Sequence, residues 1–228
     1  EGLDDASSVV TGTLDGLIEV PMNGATYLAD LLEGQKTGLF FDQRPNHAFA
    51  ARLAKDARVL DVFSHVGGFG LAALAGGAAN ALAVDGSEAA LALAAQGATA
   101  TGVSDRFDTR KGDAFKVMEM LAREDRAFDL VICDPPAFAP NRAAFDAGLR
   151  AYERVARLGA ALVAPGGYLV VCSCSHAVDL EKFRAAALRG IGARESQLVH
   201  TGFAGADHPM HPALAESGYL KAVFFRLA

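Results

Sequence analysis

Two short runs near the start, 17–22 (LIEVPM) and 26–32 (TYLADLL), alternate apolar and polar residues on either side of Asn23-Gly24. Asn-Gly between alternating runs predicts a hairpin, and Pro21 marks its first strand as an edge strand. The period then changes. Short strand-like runs stand at 59–63 (VLDVF), 81–85 (ALAVD), 107–113 (FDTRKGD), 128–134 (FDLVICD) and 167–174 (GYLVVCSC). Each is followed by a stretch that reads as helix: 67–77, 87–99, 114–124, 142–164 and 179–190. Strands alternating with helices require crossover connections, and hence a mostly parallel sheet covered on both faces. The last two runs, 197–203 (QLVHTGF) and 219–227 (YLKAVFFRL), have no helix between them, so the final strand is expected to pair antiparallel. The resulting expectation is a doubly wound α/β domain over 46–228, preceded by a tail and β-hairpin extension over 1–45.

Composition narrows the picture. A chain of 228 residues with 51% hydrophobic content can bury a sizeable core. The apolar run 159–172 is broken by Pro165 and Gly166-Gly167, and no run reaches the ~20 residues of a membrane span. The opening EGLDDASSVVTG is acidic and polar, unlike a secretory leader. A cytoplasmic location is therefore expected. With 21 basic and 27 acidic residues the net charge is −6, so there is no global electrostatic footprint for nucleic acid. Any RNA contact is expected to be local, near Lys36 and Arg44 or near Arg106, Arg110 and Lys111.

Candidate chemistry sits at the strand ends, where ligands collect in open parallel sheets. After the first strand comes DVFSHVGGFG, in which Gly67, Gly68 and Gly70 allow a tight turn and close backbone approach. After the second comes Asp85, 18 positions past Gly67, placed to grip ribose hydroxyls. After the third come Asp113, Ala114 and Phe115, suited to hydrogen-bond and flank a purine. Three consecutive strand ends describe an adenosine site. The glycines do not match G-x-G-x-x-G, so a dinucleotide is disfavoured. S-adenosylmethionine, which carries no phosphate, fits better, with Asp61 near its ammonium and Phe63, Ser64, Gly86 and Ser87 lining the same strand ends.

The fourth strand ends in Asp134-Pro135-Pro136-Ala137-Phe138. The two prolines rigidify the turn and remove N–H donors, leaving a carboxylate aimed into the cleft, while Phe138 offers a face on which a base can stack. The fifth strand ends in SCSH. Cys172 and Cys174, two apart in an extended chain, sit at the edge of disulfide geometry, and their spacing with His176 departs from structural zinc patterns, so no metal is expected. Cys172 reads as core. Cys174 faces the cleft, where a thiolate can add to carbon 6 of cytosine and activate carbon 5 for methylation, with Asp134 stabilising charge on the ring and His176 a candidate proton acceptor.

These stretches resemble a family: the large-subunit ribosomal RNA cytosine-5 methyltransferases, class I enzymes that use S-adenosylmethionine and have a Rossmann-like methyltransferase fold. The resemblance rests on GQKTGLFFDQRPNH, VLDVFSHVGGFG, AVDGSEAAL, FDLVICDPPAF, SCSH and ADHPMHPALAESGYLKA, in order from Gly34 to near the end. It implies Cys174 as nucleophile, large-subunit rRNA as substrate, and Gln43, Arg44 and Asn46 near the donor or target, with Arg44 suited to the methionine carboxylate. It also implies an N-terminal RNA-binding domain of the PUA type ahead of a linking domain, and only the hairpin of that linking domain is expected here. Two other readings stay open. An Asp-Pro-Pro-aromatic loop also serves enzymes that methylate exocyclic amines without a cysteine, and a non-catalytic S-adenosylmethionine-binding module would keep the donor site alone. The oligomeric state is not set by the sequence.

Overall fold

The structure, a computed structural model, describes residues 9–32 and 38–228. The hairpin forms as expected: β1 (Ile18–Met22) and β2 (Ala25–Ala29) pair antiparallel across Asn23-Gly24, both in the left-handed region their turn requires. Seven further strands form one sheet: β3 (Arg58–Val62), β4 (Asn80–Asp85), β5 (Phe107–Lys111), β6 (Phe128–Cys133), β7 (Val163–Ser173), β8 (Ser196–Gly202) and β9 (Lys221–Leu227). Their order is β5-β4-β3-β6-β7-β9-β8. All pairs from β5 to β7 are parallel, and β9 runs antiparallel to both neighbours. Strand order reverses between β3 and β6, which opens a crevice at their carboxyl ends.

Among the described residues, six α-helices connect the strands: α1 (Arg44–Leu53), α2 (Gly68–Ala75), α3 (Glu88–Thr101), α4 (Ala114–Arg123), α5 (Phe145–Leu162) and α6 (Leu180–Ile191). Strand alternation splits the core into two layers. Leu130 and Ile132 of β6 and Phe224 of β9 pack with α1, α2, α3 and the hairpin. Val131, Cys133 and Phe225 face the other way, against Met118 of α4, Tyr152 of α5 and Phe183 of α6. Each fully buried large side chain contributes about 1.5–3 kcal/mol of burial free energy. The hairpin shares the first core: Thr26 N donates to Thr101 Oγ1 at 2.9 Å, and Tyr27 OH donates to the Gly68 carbonyl at 2.9 Å.

Two elements differ from the sequence expectation. Residues 44–53 form a helix, begun by Pro45 in its first turn, where a missing N–H costs nothing; the buried faces of Asn46 and His47 hid its periodicity. The crossover helix expected over 142–164 stops at Leu162, and β7 begins at Val163, four residues before the expected strand. Pro165 and Gly166, at φ 79°, carry an irregularity in the β6–β7 register that a helix could not accommodate. No helix among the described residues is long and apolar enough to cross a membrane. Lys36 lies outside the described residues.

Candidate active site

A cleft of about 880 Å³ opens over the carboxyl ends of β3, β4, β5, β6 and β7. Backbone ladders extend past the strand ends and fix its walls: Ser64 N donates to Val84 O at 3.0 Å, and Asp134 N to Val62 O at 3.1 Å. The β3–α2 turn holds Phe63, His65 and Gly67 at φ 62°, 50° and 80°. Left-handed backbone costs a non-glycine residue roughly 1–2 kcal/mol, so two such residues in one turn mark a segment shaped by its surroundings. Gly68 has no room for a side chain, since a Cβ there would lie 2.8 Å from the His47 ring.

Asp85 latches this turn to the next. Its Oδ2 accepts from His65 N and its Oδ1 from Ser87 N, both at 2.8 Å. Ser87 and Asp113 line the cleft and also cap helices: Ser87 Oγ accepts from Ala90 N at 3.2 Å, and Asp113 Oδ1 from Lys116 N at 2.9 Å. Asp61, at the floor, is 1% exposed; Oδ2 accepts from Gly70 N at 2.8 Å, whereas Oδ1 and the Ser64 hydroxyl are buried without a partner. Burial, with Asp85 adding to it and the Gly70 N–H opposing, pushes the Asp61 carboxyl up to about 7. Two unpartnered polar oxygens on residues that line the cleft suit a ligand that donates hydrogen bonds, and the ammonium of S-adenosylmethionine is such a donor. The residues therefore fit this group.

Across the switch point stand Asp134 and Cys174. Burial, then the nearby Asp61, pushes the Asp134 carboxyl up to about 7, opposed by the Gln43 amide. Gln43 Nε2 is itself buried with no partner in hydrogen-bonding geometry, while its Oε1 accepts from Asn46 Nδ2 at 2.7 Å. Cys174 lines the cleft and is partly exposed, whereas Cys133 and Cys172 are buried and all three are reduced. Burial first, and Asp134 second, pushes the Cys172 thiol up, which makes it a poor nucleophile.

The loop carrying Cys174 is tied to the Asp134 loop by hydroxyl groups. Ser173 Oγ donates to the Tyr152 hydroxyl at 2.9 Å, which shares a 2.8 Å hydrogen bond with Ser175 Oγ. Ser175 Oγ also accepts from Ala139 N at 3.0 Å. Both serines of S-C-S thus anchor the turn and leave the cysteine between them facing the cleft.

Of the residues singled out from sequence, the cleft is lined by Asp61, Phe63, Ser64, Gly68, Asp85, Gly86, Ser87, Asp113, Ala114, Asp134, Pro135, Pro136, Gln43 and Cys174. Seven stand outside its lining, Gly70 and Asn46 among them. Gly67 supplies the turn behind Gly68. The half-exposed Arg44 guanidinium is paired with Asp207 at 3.2 Å. Phe115 lies under Arg154, whose guanidinium carbon is 4.5 Å from the ring centroid, and Phe138 packs on Tyr152 with centroids 5.0 Å apart. His176 is exposed. Sequence reading missed Asp42, Tyr27, His47 and His65, which line the cleft. Asp42 Oδ2 accepts from Tyr219 OH at 2.6 Å, joining DQR to the C-terminal motif; the presence of both motifs among the resembling stretches was the available signal. Among the described residues lining the cleft, six are aspartates and none is lysine or arginine.

The model of the S-adenosylmethionine-dependent methyltransferase family matches residues 3–226. Over 234 residues the chain is 38% identical to ribosomal RNA large subunit methyltransferase I of Tolumonas auensis, spanning 99% of this chain and 58% of that protein. The protein of the same name from Aeromonas salmonicida is 35% identical over 232 residues, again at 99% and 58% coverage. The chain thus spans less than two thirds of these relatives. SMU.776, crystallised in complex with SAH, superposes with a TM-score of 0.86 at 23% identity, over 96% of this chain and 58% of that one; a SAM-dependent methyltransferase from Agrobacterium tumefaciens gives 0.71 at 18%, over 96% and 72%. These structures share the fold, and the match of the family model along nearly the whole length, over a cleft built for an adenosine-containing cation, places the chain among the S-adenosylmethionine-dependent methyltransferases.

Proposed function

We propose that this chain is the catalytic portion of a large-subunit rRNA methyltransferase that modifies carbon 5 of a cytosine, with Cys174 as nucleophile. The observation that carries the reading is that Cys174 and Asp134, from adjacent strands β7 and β6, line one cleft with the adenosine-type strand ends. The relatives named for large-subunit rRNA support the substrate class.

Bound S-adenosylmethionine supplies an electrophilic methyl group. Asp61 and Ser64 would hold its ammonium, Asp85 its ribose, and the backbone of Gly112 to Ala114 its adenine edge. The chain's own chemistry is directed at the base. The Cys174 thiolate adds to carbon 6, the ring becomes an enamine, and carbon 5 gains the nucleophilicity it lacks in the aromatic base. Charge accumulates at N3 and O2 during addition, and a protonated Asp134 donates to N3; a carboxyl held near 7 is suited to that exchange. After methylation a base removes the carbon 5 proton and the thiolate is eliminated, restoring the ring.

The test is nucleoside mass spectrometry on unmethylated large-subunit rRNA incubated with the chain and S-adenosylmethionine. 5-Methylcytidine is expected, and Cys174→Ala is expected to abolish it. Formation of N4-methylcytidine, with Cys174→Ala still active, would overturn the proposal in favour of amine methylation at the Asp134 loop.

A further inference from the structure

Lys221, the first residue of β9, stands in register opposite Ser173, the last residue of β7. It is 4% exposed. Its Nζ donates to the carbonyl of Ser175 at 2.8 Å and to that of Val178 at 2.7 Å, spanning the turn that follows Cys174. Val178 N donates to the same Ser175 carbonyl at 3.3 Å, so the turn closes around the ammonium.

A buried cation is costly unless negative charge compensates it. Among the described residues no carboxylate lies within ion-pair distance of Lys221. The groups of negative charge coupled to it are Cys174 and Asp179. Asp179 is exposed and already paired with Lys182 at 2.5 Å. Among the described residues, Cys174 is the coupled group left to face the ammonium, and it carries charge when ionised. Burial brings Lys221 down to about 8, and the coupling to Cys174 opposes that fall, so the ammonium is present at neutral pH.

We infer that Lys221 is a positioning residue for Cys174: it fixes the turn that presents the thiol, and its charge favours the thiolate. The catalytic consequence rests on the reading of Cys174 as nucleophile; the electrostatic claim does not. Among the described residues, the other titratable groups facing Cys174 include Tyr152 from α5, Tyr219 from the segment before β9, and Asp134 from the β6 loop, with His176 exposed two residues on. Tyr219 is kept neutral by burial and by Asp42, and Tyr152 by burial, so neither competes for the ammonium. Asp134 opposes the thiolate when ionised.

The experiment is the pH dependence of iodoacetamide alkylation on the intact chain, in which the thiolate displaces iodide. Cys133 and Cys172 are buried, and Cys174→Ala identifies the signal as that of Cys174. The wild-type midpoint is expected below the ordinary thiol value of about 8.5. In Lys221→Met it is expected to rise by about one pH unit or more, and Lys221→Arg to keep it low. A wild-type midpoint at or above that ordinary value overturns the inference, and needs no variant to fold. So does an unmoved midpoint in a Lys221→Met protein whose thermal unfolding remains cooperative. Methyl transfer by Cys174→Ala is scored separately, so the reading of the nucleophile and the role of Lys221 fail independently.

Discussion

Tyr152→Phe deletes one oxygen from a fully buried side chain and should reach both stability and catalysis. The hydroxyl makes two hydrogen bonds, with Ser173 Oγ at 2.9 Å and Ser175 Oγ at 2.8 Å. Both serine oxygens keep a donor after the change, Ser173 Oγ from Ser175 N at 3.2 Å and Ser175 Oγ from Ala139 N at 3.0 Å, but the buried Ser173 O–H loses its acceptor. The cost is therefore at least two net hydrogen bonds, about 1–3 kcal/mol, or a fall in Tm of about 3–9 °C for a domain of this size. The same deletion releases the Cys174 turn from α5, and a loss of alignment approaching 1 Å can cost about a hundredfold in rate. The assays are thermal unfolding, donor binding by calorimetry and single-turnover methyl transfer. Single-turnover rate is expected to drop at least tenfold, with donor affinity within twofold of wild type because Tyr152 does not line the cleft. An unchanged Tm together with an unchanged single-turnover rate would refute the idea that the hydroxyl network holds the nucleophile.

Stability should depend on pH in a direction set by two buried carboxyls. Asp61 and Asp134 have folded values pushed up to about 7, above their unfolded values, so the stability they contribute is complete below the unfolded value and is lost as pH rises through 7. His47, held by burial at about 3, acts oppositely below its unfolded value, as His65 and His200 do, which leaves pH 6.5–8 as the clear window. Acidification across that window should raise Tm, with a slope that stays below the limiting ~1.4 kcal/mol per pH unit for each group because both carboxyls titrate within it, and Asp61→Asn should flatten it while weakening donor binding; a slope unaltered by the substitution contradicts the assignment. The six aspartates of the cleft should favour the cationic donor over its neutral demethylated product. One extra unit charge there gains on the order of 1 kcal/mol, about fivefold in affinity at low salt, and the ratio measured by calorimetry should shrink towards one at 1 M salt. A ratio indifferent to salt would rule out that origin.

Much of the architecture was legible because local chemistry and tertiary demand agree. Asn23-Gly24 favours the turn it occupies, and the runs at 59–63, 81–85 and 128–134 are mostly apolar, broken only by aspartates, because both sheet faces are covered. Legibility failed where a polar residue is buried for tertiary reasons. In α1, Asn46 and His47 face inward against Gln43 and Phe69, so the helix lacks an apolar stripe. Phe115 and Phe138 read as platforms for flat rings from their positions after strand ends. Both are partly exposed and also pack with Phe63 and Tyr152, contacts fixed by helix positions that spacing does not encode.

The three cysteines show how position divides identical side chains. Cys133 and Cys172 belong to strands and to opposite core layers, and burial raises both thiols, with Asp61 and Asp134 adding to the effect. Cys174 lies one residue past the end of β7, where alternation puts it on the same side as Cys172 but beyond the last ladder pair, Ser173 with Lys221. Continuing β7 by two residues would bury Cys174 as Cys172 is buried. What prevents this is the turn chemistry on either side: Ser175 N is given to Ser173 Oγ rather than to a neighbouring strand, and the carbonyls of Ser175 and Val178 are given to Lys221. The serines and the lysine thus convert a core cysteine pattern into a partly exposed thiol in the cleft, whose position is set by where the strand is made to stop.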